Sequence, residues 1–472
     1  MTGQRRMMKM GISMHVMGYH PGCWRLDDVP ADGLMDFGHF VHVLQTAERG
    51  KLDMVFLADH GASRNLLVPS LVRELHHNNI KHEPLMLLSA LASVTRHVGL
   101  VSTVCSTYND PYSTARMLAS IDHISGGRMG WNLVTGFCSD EARNYGYDGL
   151  PDQDYRHERA LEFADVVHDL FDSWEDGAFI RDKRTGEFFD RGKVHFVDHV
   201  GKHFRVRGPL DIARPVQGIL PLVTAGDSDR SKDLAAQRAD VVYAIKADFT
   251  LARDYYASVK ERLPRYGRPP EALTIMPGMM VFVGRTEADA RAKFDRIQDA
   301  VDPRVGLSLL LPFFGDLSGH DLDAPAPRVD ADFMRAPKGP RHNSGGAKAG
   351  PGVDFAIGKL LADLAGKDMT LRQLTRHIAG AGLWEKVVVG TPAQVADEME
   401  YWFMNGAADG FNLQPPYMPG SFDDFVDLVV PELQRRGLYR TAYDGATLRD
   451  NLGLPRPASR FSPAAQDRIS AG

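Results

Sequence analysis

The sequence predicts an α/β protein whose strands close into a (β/α)8 TIM barrel with insertions. Three observations carry the expectation. Short apolar runs alternate with amphipathic helical stretches along the chain. The runs are nearly continuous rather than alternating, as strands covered on both faces must be. Eight of them can be counted, and eight is the number that closes a parallel barrel. Periodicity alone also permits an open doubly wound sheet.

The strands are expected at 7–16, 52–59, 98–104, 129–134, 219–226, 239–245, 273–284 and 386–390. LDMVFLAD (52–59) is typical of them, an apolar run ended by an acid. Helical patterns fall between the strands. FGHFVHVLQTAERG (37–50) stops at Gly50, YSTARMLASIDHIS (112–125) stops before Gly126-Gly127, and Thr391-Pro392 starts TPAQVADEMEYWFMNG (391–406).

At 472 residues the chain is long for one domain, but barrels reach this length by loop insertion. The reading is one domain over 1–457, insertions near 60–83, 176–212 and 315–353, and a tail over 458–472. The second insertion holds FVDHVGKHFRV, two β-like runs about Gly201 that suggest a hairpin. The third is rich in Gly, Pro, Ala and charge, and reads equally as a lid or as disorder.

Composition removes several classes of function. A net charge of −6 supplies no basic footprint for nucleic acid. No run reaches the roughly 18 apolar residues that a membrane span needs. Three scattered cysteines, Cys23, Cys105 and Cys138, suit neither a disulfide framework nor a Cys-based zinc site and point to the cytoplasm. Arg5, Arg6 and Lys9 precede a segment broken by His15, Gly18 and His20 that lacks a cleavage site, so no signal peptide is read there. His76, His77 and His82 lie in a polar loop without HxH or HExxH spacing, and no metal site is expected. Neither GxGxxG after a strand nor GxxxxGK[ST] occurs.

Polar residues at strand C-terminal ends face the site of a parallel barrel, because the βα loops build that end. Asp59, Thr103, Asn132 and Ser228 stand at such places; each is also a residue type that caps helices or shapes turns. In TAGDSDRS (224–231), Gly226 allows close backbone approach. A helix start with Ser228 and Arg230 can hold a phosphate, although a merely capped helix has the same pattern.

Several fragments stand in order: GYHPGCWR (18–25), ERGKLDMVFLAD (48–59), STYNDPYSTAR (106–116), SGGRMGWNLVT (125–135), EARNYG (141–146), PLVTAG (221–226), VGTPAQVADEME (389–400), and AADGFNLQPPYMPGSFDDFVDLVVPELQRRG (407–437). Together they resemble the bacterial-luciferase-like FMN-dependent monooxygenases, in the branch of nitrilotriacetate monooxygenase component A and dibenzothiophene-sulfone monooxygenase. The resemblance spans about residues 8–457 and is weakest through 315–353.

The resemblance implies a barrel that binds reduced FMN (FMNH2) delivered by a separate NAD(P)H:flavin reductase. It implies reaction with O2 and transfer of one oxygen atom to a small organic substrate. Amines, aminopolycarboxylates, sulfones, sulfonates and halogenated aromatics all fall within the branch. A homodimer or homotetramer is implied as well. By position, Asp59 matches the acid after strand two, Thr103 a flavin-side hydroxyl, Asn132 the strand-four asparagine that faces the isoalloxazine, and Ser228 the phosphate-binding serine of AGxSxxG. His157 stands where relatives carry a phosphate-contacting tyrosine. Two positions depart from the pattern: Gln153 replaces a histidine, and Ser231 replaces the last glycine of AGxSxxG; His157 and Arg230 could compensate. Thr135 shapes the loop after strand four. His20 is the expected catalytic group, hydrogen-bonding at the reacting centre or orienting substrate. Two other readings remain open here, an F420-dependent hydride-transfer oxidoreductase and a non-catalytic flavin-binding protein.

Overall fold

Local signals start the helices. Asp36, Asp110, Ser228 and Asp248 each stand just before a helix and accept a backbone N–H from Gly38, Ser113, Ser231 and Leu251. The computed structural model describes residues 6–63, 81–327, 368–380 and 385–462.

The strands are β1 (Lys9–Ser13), β2 (Met54–Leu57), β3 (Gly99–Cys105), β4 (Met129–Val134), β5 (His199–Val200), β6 (Arg205–Val206), β7 (Leu222–Ala225), β8 (Val241–Ala244), β9 (Thr274–Val283), β10 (Lys386–Gly390) and β11 (Gly410–Leu413). A ring of parallel pairings runs β1-β2-β3-β4-β7-β8-β9-β11 and back to β1. The closed eight-stranded barrel is therefore formed, and the open sheet is excluded. β5 and β6 make the expected antiparallel hairpin, pairing His199 with Val206 and Val200 with Arg205.

One strand assignment needs correcting. Residues 386–390 do form a strand, but β10 pairs only with the outer half of β9, Met279–Val283, and lies outside the ring. The eighth barrel strand is β11, within GFNL. Asn412 interrupts its apolar run, and Gly410 weakens its strand character. Both are dictated by position: a Cβ at Gly410 would overlap the carbonyl of Lys9, and Asn412 pairs with Gly11 of β1 on the barrel wall.

Inside the barrel Met54, Phe56, Val101, Val223, Val241 and Met276 form one apolar cluster with Leu448, Leu452 and Leu454. The three leucines lie on and just after a short helix, Leu448–Leu452, which Thr447 starts with a capping box. Leu448 donates its N–H to the Gly127 carbonyl at 2.9 Å, before β4. This segment therefore closes the N-terminal end of the barrel. The opposite end, where strands run out into βα loops, remains for chemistry.

Helices α1 (Phe37–Arg49), α2 (Pro84–Leu91), α3 (Pro111–Ser125), α4 (Ser139–Asn144), α5 (Gln153–Phe171), α6 (Asp229–Arg238), α7 (Phe249–Lys260), α8 (Glu287–Asp299) and α9 (Pro303–Phe314) follow in order. Most of the segments expected as insertions near 60–83 and 315–353, and most of the tail, lie outside the described residues. Among the described residues no helix is long and apolar enough to cross a membrane.

Candidate functional site

β3 and β4 place Thr103 opposite Asn132 in register. The Thr103 hydroxyl donates to the Leu57 carbonyl at 2.8 Å, so its oxygen is left to accept, and it takes the Asn132 amide N–H at 3.0 Å. That order turns Asn132 Oδ1 away from Thr103. The oxygen is buried and has no partner among the described residues. A buried acceptor without a donor costs stability unless a ligand or water supplies one.

Beside this pair, Asp59 follows β2 and forms an ion pair with Lys81 at 2.8 Å. Asp59, Thr103, Cys105, Asn109, Glu141 and Tyr145 line a pocket of about 50 Å³. Glu141, on α4, accepts the Gly61 N–H at 2.9 Å. Burial, reinforced by Glu141, pushes the Cys105 thiol up to about 12, so it stays protonated.

Across the barrel mouth, Gln414 donates from Nε2 to the Tyr243 hydroxyl at 2.6 Å, and Tyr19 donates to Ser13 at the end of β1. Tyr243 reaches in from β8 and meets the Phe56 ring with centroids 5.9 Å apart. Gln414 Oε1 and both amide atoms of Asn412 are buried without partners among the described residues. Gln414 and Tyr243 are not among the residues expected from the sequence. Gln414 obeys the rule used for Asp59, a polar residue just after a strand, but its strand was not recognised.

A third cluster lies where β7 runs into α6. Gly226 has φ +137°, and a Cβ there would sit 2.6 Å from Ser231 Oγ, so glycine is required. Ser228 caps α6, and its hydroxyl is 2.8 Å from that of Ser231. His157 Nε2 lies 3.5 Å from Ser231 Oγ, and His157 Nδ1 donates to the Gln153 carbonyl at 2.9 Å. Burial holds His157 below the ordinary histidine value, and Arg156 and Arg230 add to the effect. Thus Ser228, Ser231 and His157 converge, and Ser231, read from sequence only as a departure, belongs to the group. Arg230 points elsewhere, pairing with exposed Asp154 at 2.8 Å.

His20 is almost fully buried, and its ring is held at both nitrogens. The Gly22 N–H donates to Nδ1 at 3.1 Å, so the proton sits on Nε2, which donates to Gln298 Oε1 on α8 at 2.6 Å. Burial lowers its pKa to about 4. Thr135 gives its carbonyl to the Thr107 hydroxyl at 2.8 Å and to Arg156 at 3.3 Å, which shapes the loop after β4. Among the described residues no cluster of three or more His, Cys, Asp or Glu side chains could hold a metal ion.

The donor and acceptor set fits a flavin nucleotide. A flavin ring edge presents N–H groups and carbonyls, for which Asn132 Oδ1 is an acceptor in place. A phosphate needs donors, and the helix start of α6 with two hydroxyls offers them. The luciferase-like monooxygenase family model matches residues 14–409. N-acetyl-S-(2-succino)cysteine monooxygenase of Bacillus subtilis (strain 168) is 40% identical over 465 residues, covering 98% of this chain and 100% of that protein. Nitrilotriacetate monooxygenase component A of Aminobacter aminovorans is 42% identical over 469 residues, covering 96% and 98%. The solved structure of a riboflavin lyase with modified FMN and riboflavin superposes with a TM-score of 0.78 at 28% identity, covering 98% of this chain and 99% of that one.

The chain belongs to the luciferase-like monooxygenase family. It is an oxygenase that works with a flavin and O2, which favours the monooxygenase reading over the F420-dependent and non-catalytic ones.

Proposed function

We propose that this chain is the oxygenase of a two-component system, taking reduced FMN from a separate NAD(P)H:flavin reductase and oxygenating a small organic substrate in the cytoplasm. The observation that carries the reading is the division of the site into two ends. The orphaned Asn132 Oδ1 suits a flavin ring edge, and the Ser228–Ser231–His157 cluster suits a phosphate. The relative named component A supports the two-component scheme. The FMN in the riboflavin lyase structure supports the identity of the flavin.

Reduced flavin supplies the electrons that activate O2. The residues of this chain bind and orient it. Thr103 fixes the polarity of the Asn132 amide, Asp59 stands at the same rim with its charge balanced by Lys81, and Gly226, Ser228 and Ser231 offer the phosphate a cradle. Arg230 adds positive charge nearby while paired to Asp154. Tyr243, Gln414 and Phe56 floor the opposite side, where a substrate would rest. His20, expected from the sequence to be the catalytic group, has both ring nitrogens engaged by Gly22 and Gln298, so its proposed part is to hold the loop after β1 against α8 rather than to meet the reacting centre.

The test supplies the purified protein with reduced FMN, 18O2 and a panel of amines, sulfones and aminopolycarboxylates. The expected result is one 18O atom in a product, dependent on FMNH2. Product without 18O, or turnover with reduced F420 but not FMNH2, overturns the reading.

A further inference from the structure

The loop assigned to the phosphate contains an apparent contradiction. Asp227 lies between Gly226 and Ser228, so a carboxylate stands beside the place proposed for a dianion. Left alone it would repel that ligand.

The neighbouring βα loop supplies the counter-charge. Lys246, two residues after β8, brings Nζ within 2.7 and 2.6 Å of the two Asp227 carboxylate oxygens. The lysine side chain is only 9% exposed, whereas Asp227 is 61% exposed, so the cation is the anchored member of the pair. Its Nζ also lies 4.5 Å from the centroid of the Tyr255 ring, and the Tyr255 hydroxyl donates to the Gly226 carbonyl at 2.9 Å. Lysine and tyrosine thus grip consecutive residues of the loop, one by side chain and one by backbone. The other charges near this helix start are engaged elsewhere: Arg230 with Asp154, and Arg262 with Asp229 and Asp233. Lys232 shares the Tyr255 ring at 5.4 Å.

We propose that Lys246 is a positioning residue for the flavin phosphate, cancelling the Asp227 charge and, with Tyr255, holding the Gly226–Ser228 turn in its binding conformation. The proposal rests on the reading of that turn as the phosphate loop. A pair that merely decorated the surface would leave ligand preference unchanged. A pair that tunes the loop must show itself as discrimination between FMN and riboflavin, which differ only in the phosphate.

The experiment measures anaerobic binding of reduced FMN and reduced riboflavin by equilibrium ultrafiltration. It uses the full chain and its Lys246→Met, Asp227→Asn and doubly substituted forms. Lys246→Met is expected to weaken FMN about tenfold, more at low salt, while riboflavin changes less than about twofold. Adding Asp227→Asn is expected to bring FMN affinity back to within about threefold of the parent, because the uncompensated charge is gone. Unchanged FMN affinity in Lys246→Met, equal losses for both flavins, or failure of the second substitution to rescue overturns the proposal. If Lys246→Met does not fold, Asp227→Asn alone decides: FMN affinity raised relative to riboflavin supports it, and unchanged or selectively reduced FMN affinity overturns it. A parent protein with no preference for FMN over riboflavin would instead remove the phosphate-loop reading itself.

Discussion

The hydroxyl of Thr103 and the amide of Asn132 meet 3.0 Å apart across neighbouring barrel strands, with the threonine proton already committed to Leu57. The pair therefore has a fixed polarity, and Asn132 can present only its oxygen to a ligand. Thr103→Val keeps the shape and deletes the acceptor. It is expected to cost about 1–3 kcal/mol of stability through the stranded amide N–H. It should also weaken flavin binding, because the amide is then free to turn. Urea unfolding and a flavin titration measure the two effects. Undiminished flavin affinity would separate the pair from the cofactor.

Ser228→Ala combined with His157→Ala should weaken reduced FMN far more than reduced riboflavin, by about tenfold or more. The pH dependence goes further. His157 Nδ1 already donates to Gln153, so neutral His157 offers a phosphate only a lone pair. Its pKa is low in the free protein, and a bound phosphate would raise it. FMN binding should then take up a proton, and affinity, compared with that of the His157→Ala form, should fall as pH rises from below 6.5 toward the higher pKa of the complex. Riboflavin binding and the His157→Ala form should lack that slope. An FMN profile parallel to that of the His157→Ala form would count against contact between His157 and the phosphate.

His20 should report on stability. Its folded-state pKa of about 4 lies below the ordinary 6.5, so between these values the unfolded chain binds the extra proton. The contribution is complete above pH 6.5 and is lost as pH falls toward 4, with a slope of at most about 1.4 kcal/mol per pH unit. His20→Asn should flatten the stability profile across this window, measured by urea unfolding at several pH values. A profile as steep as the parent's would show that His20 is not held neutral.

Leu448→Ala should destabilise the barrel by about 2–5 kcal/mol, the range for a buried leucine that leaves a cavity. The side chain packs inside the barrel with Val101 and Met276, far from the mouth. Lower thermal stability with unchanged flavin affinity is the expected pair of results. A loss of flavin affinity matching the loss of stability would contradict the separation of the two ends.

Continuous apolar strands with polar ends were legible in the sequence, which is why β1 to β4 and the residues Asp59, Thr103 and Asn132 emerged from it. The barrel interior near the mouth tolerates polarity, and that same tolerance hid β11, where Asn412 breaks the run. Residues 386–390 read as a strand and form one, but pairing partners are not written in a local pattern. The contact of His20 with Gln298 joins residues 278 positions apart, beyond any local reading of GYHPGCWR. Ser231 reads locally as a lost glycine, and only the folded loop brings its hydroxyl beside the hydroxyl of Ser228 and the ring nitrogen of His157.

The pairing of β1 with β11 joins Lys9 to Gly410, and the leucines that stop the barrel's lower end come later still, at 448–454. A ribosome must therefore make the chain through residue 413 before the first strand can find its last neighbour. Until then β1 presents an unpaired edge, the kind that recruits other chains. Messages cut short ahead of residue 410 would yield an unclosed sheet rather than a smaller enzyme, and nascent chains should depend on holding chaperones until β11 has emerged.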